Sequence, residues 1–124
     1  MTTPTSSPPD IAARCREAVV AAEGLKAGGL RVLELSEISS LADYFLVCSG
    51  TSARQVQAIA DAVVERLRAE HVRPHHIEGH QSGRWVLLDF GDFVVHVFDE
   101  ETRSFYALEK LWADAPDVTN EFTQ

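Results

Sequence analysis

Cysteine is scarce in this sequence. The two residues present, Cys15 and Cys48, lie far apart and each sits in apolar sequence. That excludes a disulfide framework and a CxxC pair, so both are expected to be reduced core thiols. Long apolar runs are missing too. None approaches the roughly 18 residues that a membrane span needs, and Met1-Thr2-Thr3-Pro4 lacks the cationic start and apolar core of a secretory signal. A cytoplasmic protein, not membrane-bound, is expected. Positive charge is in deficit: 11 Lys and Arg stand against 19 Asp and Glu, a formal net charge of -8. From Asp99 to Gln124 seven acids face only Arg103 and Lys110. Such a surface repels a phosphate backbone, which disfavours direct DNA or other nucleic-acid binding and makes a basic protein the easier partner.

What is present describes one α/β domain. The chain has 124 residues, 45% hydrophobic and 24% charged, enough for a single real core. Residues 1–9 are rich in Pro, Ser and Thr and read as a flexible tail. Asp10 is placed to cap a helix whose Ile11, Cys15, Ala18, Val19 and Ala22 recur at three- and four-residue spacing, and which Gly24 and Gly28-Gly29 end. LRVLEL (30–35) and DYFLVCS (43–49) read as strands, the second central and buried. Ser52 and Gln55 fit a capping box for a helix reaching about His71, with Val56, Ile59, Ala60, Val63 and Leu67 on its apolar face. A short strand over 74–79 follows, joined to the previous one by a parallel right-handed crossover. RWVLLDFGDFVVHVF (84–98) predicts a hairpin with Gly91 at the first central position of a type II′ turn. A final helix over Thr102–Trp112 should bury Phe105, Leu108, Leu111 and Trp112. The domain proper is then 10–113, a mixed sheet of about five strands with helices on its faces. Residues 114–124 read as an acidic, partly unstructured tail.

Chemistry-bearing patterns are few. In PHHIEGH (74–80), His76, Glu78 and His80 would share one strand face, and two histidines with a carboxylate can hold zinc or iron. Gly79 loosens that spacing and no distant Cys or Asp completes the set, so His75, His76 and His80 are expected to form a solvated edge without a metal. Ser49-Gly50-Thr51-Ser52 precedes a helix and offers N–H groups to a phosphate, but helix capping by Thr51 or Ser52 explains the hydroxyls better. No P-loop lysine and no carboxylate pair for magnesium accompany it. Asp89-Phe90-Gly91 spells a kinase tripeptide, but its glycine belongs to the hairpin turn. Cys48 is expected to stay protonated in its apolar strand, and His96 to be a hydrogen-bonded sheet residue. No catalytic residue and no cofactor are expected.

A surface patch remains. Alternation puts Trp85, Leu87 and Asp89 on one face of their strand and Val86, Leu88 and Phe90 on the other. Arg103, Tyr106 and Lys110 fall on one helical stripe. Trp, Tyr and Arg are the residues most enriched at binding hot spots. Pattern alone does not decide between an interface and plain cover for the sheet.

At these residues DYFLVCSGTSARQVQAIAD (43–61), Glu78-Gly79 and GRWVLLDFGDFVVHVFDEETRSFYALEKLW (83–112) closely resemble the ribosomal silencing factor, or iojap-related, family. The resemblance spans about residues 11–112. It implies a nucleotidyltransferase-like fold without that activity. It also implies binding to the large ribosomal subunit through ribosomal protein fourteen, a steric block to small-subunit joining under nutrient limitation, and a homodimer when free. Carried to this chain, Trp85 and Tyr106 become desolvated anchors, with Leu87 their apolar neighbour. Asp89 and Glu109 would meet basic groups of the partner, and Arg103 and Lys110 its acidic or carbonyl groups. The alternatives are a nucleotide- or phosphate-binding enzyme using the Gly50–Ser52 helix start, and a metal-responsive module built on the histidines.

Overall fold

Ser52 starts the best-defined element of the fold. Its side chain accepts a hydrogen bond from the Gln55 N–H at 3.1 Å, and the helix α2 runs over Ala53–Arg68. The reciprocal half of the capping box is shifted by one residue, because Gln55 Oε1 accepts from the Thr51 N–H at 2.7 Å. Val56, Ile59, Ala60, Val63 and Leu67 are fully buried, the face that the spacing predicts. The helix stops three residues short of the expected His71, which instead takes a left-handed backbone at φ 62°.

The structure, a computed structural model, describes residues 9–123; residues 1–8 of the expected 1–9 tail lie outside them, and Pro9 belongs to a helix. Helix α1 spans Pro9–Gly24, so it begins one residue before Asp10, the expected cap position. Proline suits a first helical turn, where its missing N–H has no partner to lose. Four strands match expectation closely: β1 Gly28–Glu34, β2 Tyr44–Gly50 and the hairpin pair β4 Trp85–Asp89 and β5 Phe93–Asp99. The third, β3, contracts to His76–Glu78. Within the hairpin the Phe90 N–H donates to the Phe93 carbonyl at 3.0 Å. Gly91 at φ 89° holds the first central position, while Asp92 keeps a negative φ, as a type II′ turn requires.

The sheet order is β1-β2-β5-β4-β3, mixed, with β2 and β5 parallel and the other pairs antiparallel. The β2–α2–β3 connection does return a strand in the same direction. It is not adjacent, however, since β5 and β4 lie between. One sheet face packs on α1, α2 and Phe122 through Cys15, Val19, Leu46, Val86, Leu88, Val95 and Val97. The other carries a smaller cluster of Leu33, Phe45, Val47, Phe98, Leu108 and Ala115. Among the described residues no helix is long and apolar enough to cross a membrane.

Two expectations are corrected. The single helix over Thr102–Trp112 is two short ones, α3 Glu100–Tyr106 and α4 Leu108–Leu111, broken at Ala107 with φ 49°. As a result only Leu108 of the four apolar residues is buried, and Phe105 and Leu111 are exposed. The supposed tail from Asp114 is folded. Val118 N–H donates to Val32 O at 2.8 Å, and Glu34 N–H to Pro116 O at 2.9 Å. Arg31 pairs with Asp117 at 2.9 Å, and Phe122, in helix α5 (Thr119–Phe122), is buried edge-on against Tyr44. The segment covers the open edge of β1, an edge that would otherwise invite strand addition.

Candidate partner-binding site

Alternation along β4 sorts its side chains as predicted. Val86 and Leu88 are fully buried, while Trp85, Leu87 and Asp89 are half-buried on the opposite face. Trp85 stacks on Phe98 with ring centroids 4.9 Å apart, and Tyr106 lies against it at the same 4.9 Å. Its indole N–H donates inward to His96 Nδ1 at 3.2 Å. Leu87 pairs across the sheet with His96. The Asp89 carboxylate accepts from the Gly91 N–H at 2.8 Å, bracing the hairpin turn.

Tyr106 reaches Trp85 because α3 is held at both ends. Asp99 caps the start, accepting from the Thr102 N–H at 2.7 Å. These bonds to Thr102 keep the Asp99 carboxyl below its ordinary range. At the far end the Ala107 N–H donates to Arg103 O at 2.8 Å, an αL cap. Arg103 itself turns inward: its guanidinium donates to Gly29 O at 2.7 Å, to Ser49 Oγ at 3.3 Å and through Nε to Glu109 at 2.7 Å. Gly29 makes this contact possible. It occupies a bulge between β1 and β2 at φ 52°, and a Cβ there would come within 2.7 Å of the Arg103 Nη1. Burial works against ionised Glu109, but its own backbone N–H and Arg103 hold its carboxyl below the ordinary value.

The predicted residues therefore fall into two sets. Trp85, Leu87 and Tyr106 belong to one apolar face, with Asp89 at its hairpin end. Arg103 and Glu109 form an ion pair on the other side of α3, and exposed Lys110 lines an open groove beside them. The expectation that Arg103 reaches out to acidic or carbonyl groups of a partner does not match its position, since those donors are taken within the molecule. The straight stripe of Arg103, Tyr106 and Lys110 is likewise interrupted at Ala107.

The sequence missed the most exposed aromatic of all. Phe105 is 79% exposed and meets Tyr106 edge-on at 5.0 Å. With Trp85, Tyr106, Asp99 and Glu101 it lines an open groove of about 680 Å³. Leu111 is 75% exposed. Spacing alone gave no signal for either: both exposures follow from the break at Ala107 that splits the predicted helix.

Of the other candidates, His76 and Glu78 stand opposite Asp89 and Leu87 on the edge strand β3, beside this face. His76 pairs with Glu78, both exposed. Gly79 at φ 80° then turns the chain, sending His80 to Asp61 of α2 at 2.8 Å. No group of three or more His, Cys, Asp or Glu among the described residues could hold a metal ion. At the start of α2 the Thr51 and Gln55 N–H groups are both taken up in capping. Burial pushes the Cys15 and Cys48 thiols up to about 12, which leaves them protonated.

The family described as "RsfS: Ribosomal silencing factor during starvation" matches residues 8–124. The chain belongs to this ribosomal silencing factor family. It is 46% identical over 105 residues to "Ribosomal silencing factor RsfS" of Bacillus subtilis, which covers 85% of this chain and 89% of that protein. A mouse protein, "Mitochondrial assembly of ribosomal large subunit protein 1", is 41% identical over 73 residues, covering 56% of this chain and 32% of that one. Among solved structures, a Chromobacterium violaceum protein superposes with a TM-score of 0.80 at 39% identity, over 82% of this chain and 84% of that chain. The family is regulatory, and its members here are factors rather than enzymes.

Proposed function

We propose that this protein silences ribosomes by binding the large subunit, through ribosomal protein fourteen, so that the small subunit cannot join when nutrients are short. Membership of a family described by ribosomal silencing during starvation supports the activity, and the mouse relative's name points to the large subunit. One observation carries the choice of surface. Trp85, Tyr106 and Phe105 form a partly exposed aromatic cluster with Leu87 on the same face of β4 as Trp85. Exposed aromatic clusters of this kind mark protein contacts.

In this reading Trp85 and Tyr106 are the anchors and Leu87 and Phe105 their apolar neighbours. Asp89 supplies negative charge to basic groups on the partner, while Glu109, paired with Arg103 on the other side of α3, and Lys110 beside it contribute only at the rim. Arg103 acts indirectly, by holding α3 against the β1–β2 bulge. The net charge of -8 favours a basic protein surface over bare ribosomal RNA. The block is steric and competitive: an interface of roughly 800 Å² per partner occupies the docking area, and no covalent step is required. In free protein the same apolar face is where a second copy would pack as a homodimer.

Co-sedimentation with purified subunits tests the target. The protein should pellet with large subunits and not with small ones, and Trp85→Ala should weaken this by at least about tenfold. Pelleting with small subunits alone, or with neither, would refute the proposal.

A further inference from the structure

Trp85 has a single hydrogen-bonding atom, the indole N–H, and that atom faces the protein interior, donating to His96 Nδ1 at 3.2 Å. His96 lies in the middle of β5 and is only 4% exposed. Its ring meets Phe45 edge-on at 4.6 Å and parallels Phe98 at 6.2 Å. An indole can only donate, so Nδ1 must be unprotonated and the neutral imidazole carries its proton on Nε2. That second nitrogen is buried and has no hydrogen-bond partner.

A buried N–H without an acceptor opposes folding and is uncommon in native proteins. A phenylalanine would fill this aromatic pocket without that cost. What it could not do is accept from Trp85. The pairing across the sheet also fixes the geometry, because Trp85 stands opposite Phe98 and Leu87 opposite His96, the successive pairs on this face of the sheet. The indole is thus stacked on Phe98 and tethered diagonally by His96, and the rest of its ring lines the groove with Phe105 and Tyr106.

We infer that His96 is a positioning and specificity-determining residue of the partner site, holding the Trp85 indole with its N–H turned inward so that a partner meets apolar ring surface and no donor. The matching group on the partner is then an apolar side chain, or a lysine or arginine resting on the ring, and not a carbonyl or carboxylate that would seek a hydrogen bond. This rests on the reading of Trp85 as a contact residue.

The test has two parts. In the free protein, the Trp85 indole N–H should exchange slowly with solvent. Exchange should quicken in His96→Phe, which keeps the ring but has no acceptor, and slow again in His96→Asn, whose amide oxygen falls near the place of Nδ1. In binding to purified large subunits, His96→Phe should weaken affinity roughly three- to tenfold, His96→Asn should recover part of it, and His96→Phe/Trp85→Phe should bind no worse than Trp85→Phe alone. His96→Leu serves if the phenylalanine variant does not fold. Unchanged indole exchange in folded His96→Phe would overturn the tether. Losses that multiply in the double variant, or no recovery with asparagine, would overturn its role in binding. If wild type itself does not bind large subunits, the proposed function fails, while the exchange measurement still decides what His96 does.

Discussion

At the scale of single residues, His96 is the group whose ionisation should be most visible. Burial lowers its pKa from 6.5 to about 4, because a charged imidazole would be stripped of water among aromatic rings. The unfolded chain binds the proton at higher pH than the folded one. Stability from this residue is therefore complete above about pH 6.5, falls as pH drops toward 4, and levels off below that. The loss over this window should reach about 3 kcal/mol. Urea unfolding at pH 7 and pH 4.5 checks it: wild type should lose more stability between the two than His96→Phe, and equal losses would contradict the burial argument. The alternation on β4 was legible in sequence, since a period of two needs only the neighbouring residues. The place of Arg103 was not. Its partners Gly29 and Ser49 come from two other strands, and only the β1 bulge brings them within reach.

Among the elements, the start and buried face of α2 were legible because its five-residue apolar face and its Ser52 cap agree with each other, although it ends before the expected His71. The last helix was not, since apolar residues at suitable spacing continue straight through the break at Ala107. An alanine at φ 49° carries a strain of about 1 kcal/mol that glycine does not. Ala107→Gly should therefore leave stability unchanged or raise it by up to about 1 kcal/mol, whereas Ala107→Val should lower it by more than that. Chemical denaturation measures both. If glycine destabilised the protein by 1 kcal/mol or more, the left-handed break would not be the resting conformation of the segment. The same break explains why Phe105 and Leu111 are exposed rather than buried, and so why the site is larger than the sequence indicated.

For the whole molecule, the sheet's two faces divide the work. One is closed by α1, α2 and α5, and the other is only partly covered by α3 and α4, leaving Trp85, Leu87, Tyr106 and Phe105 partly open to solvent. The C-terminal segment was misread because its core contacts come from isolated residues, Ala115, Val118 and Phe122, spaced among acids. Two of its hydrogen bonds to β1 are backbone bonds that no composition reveals. The fold was thus legible where local periodicity and packing coincide, and illegible where distant strands decide a side chain's neighbours. The central claim is that the aromatic face blocks subunit joining. Small and large ribosomal subunits should be mixed with the protein and the joined fraction read on a density gradient, with wild type beside a folded Trp85→Ala/Tyr106→Ala variant. Wild type should suppress joining and the variant should not; equal suppression by both would move the interface elsewhere, and no suppression by wild type would contradict the account.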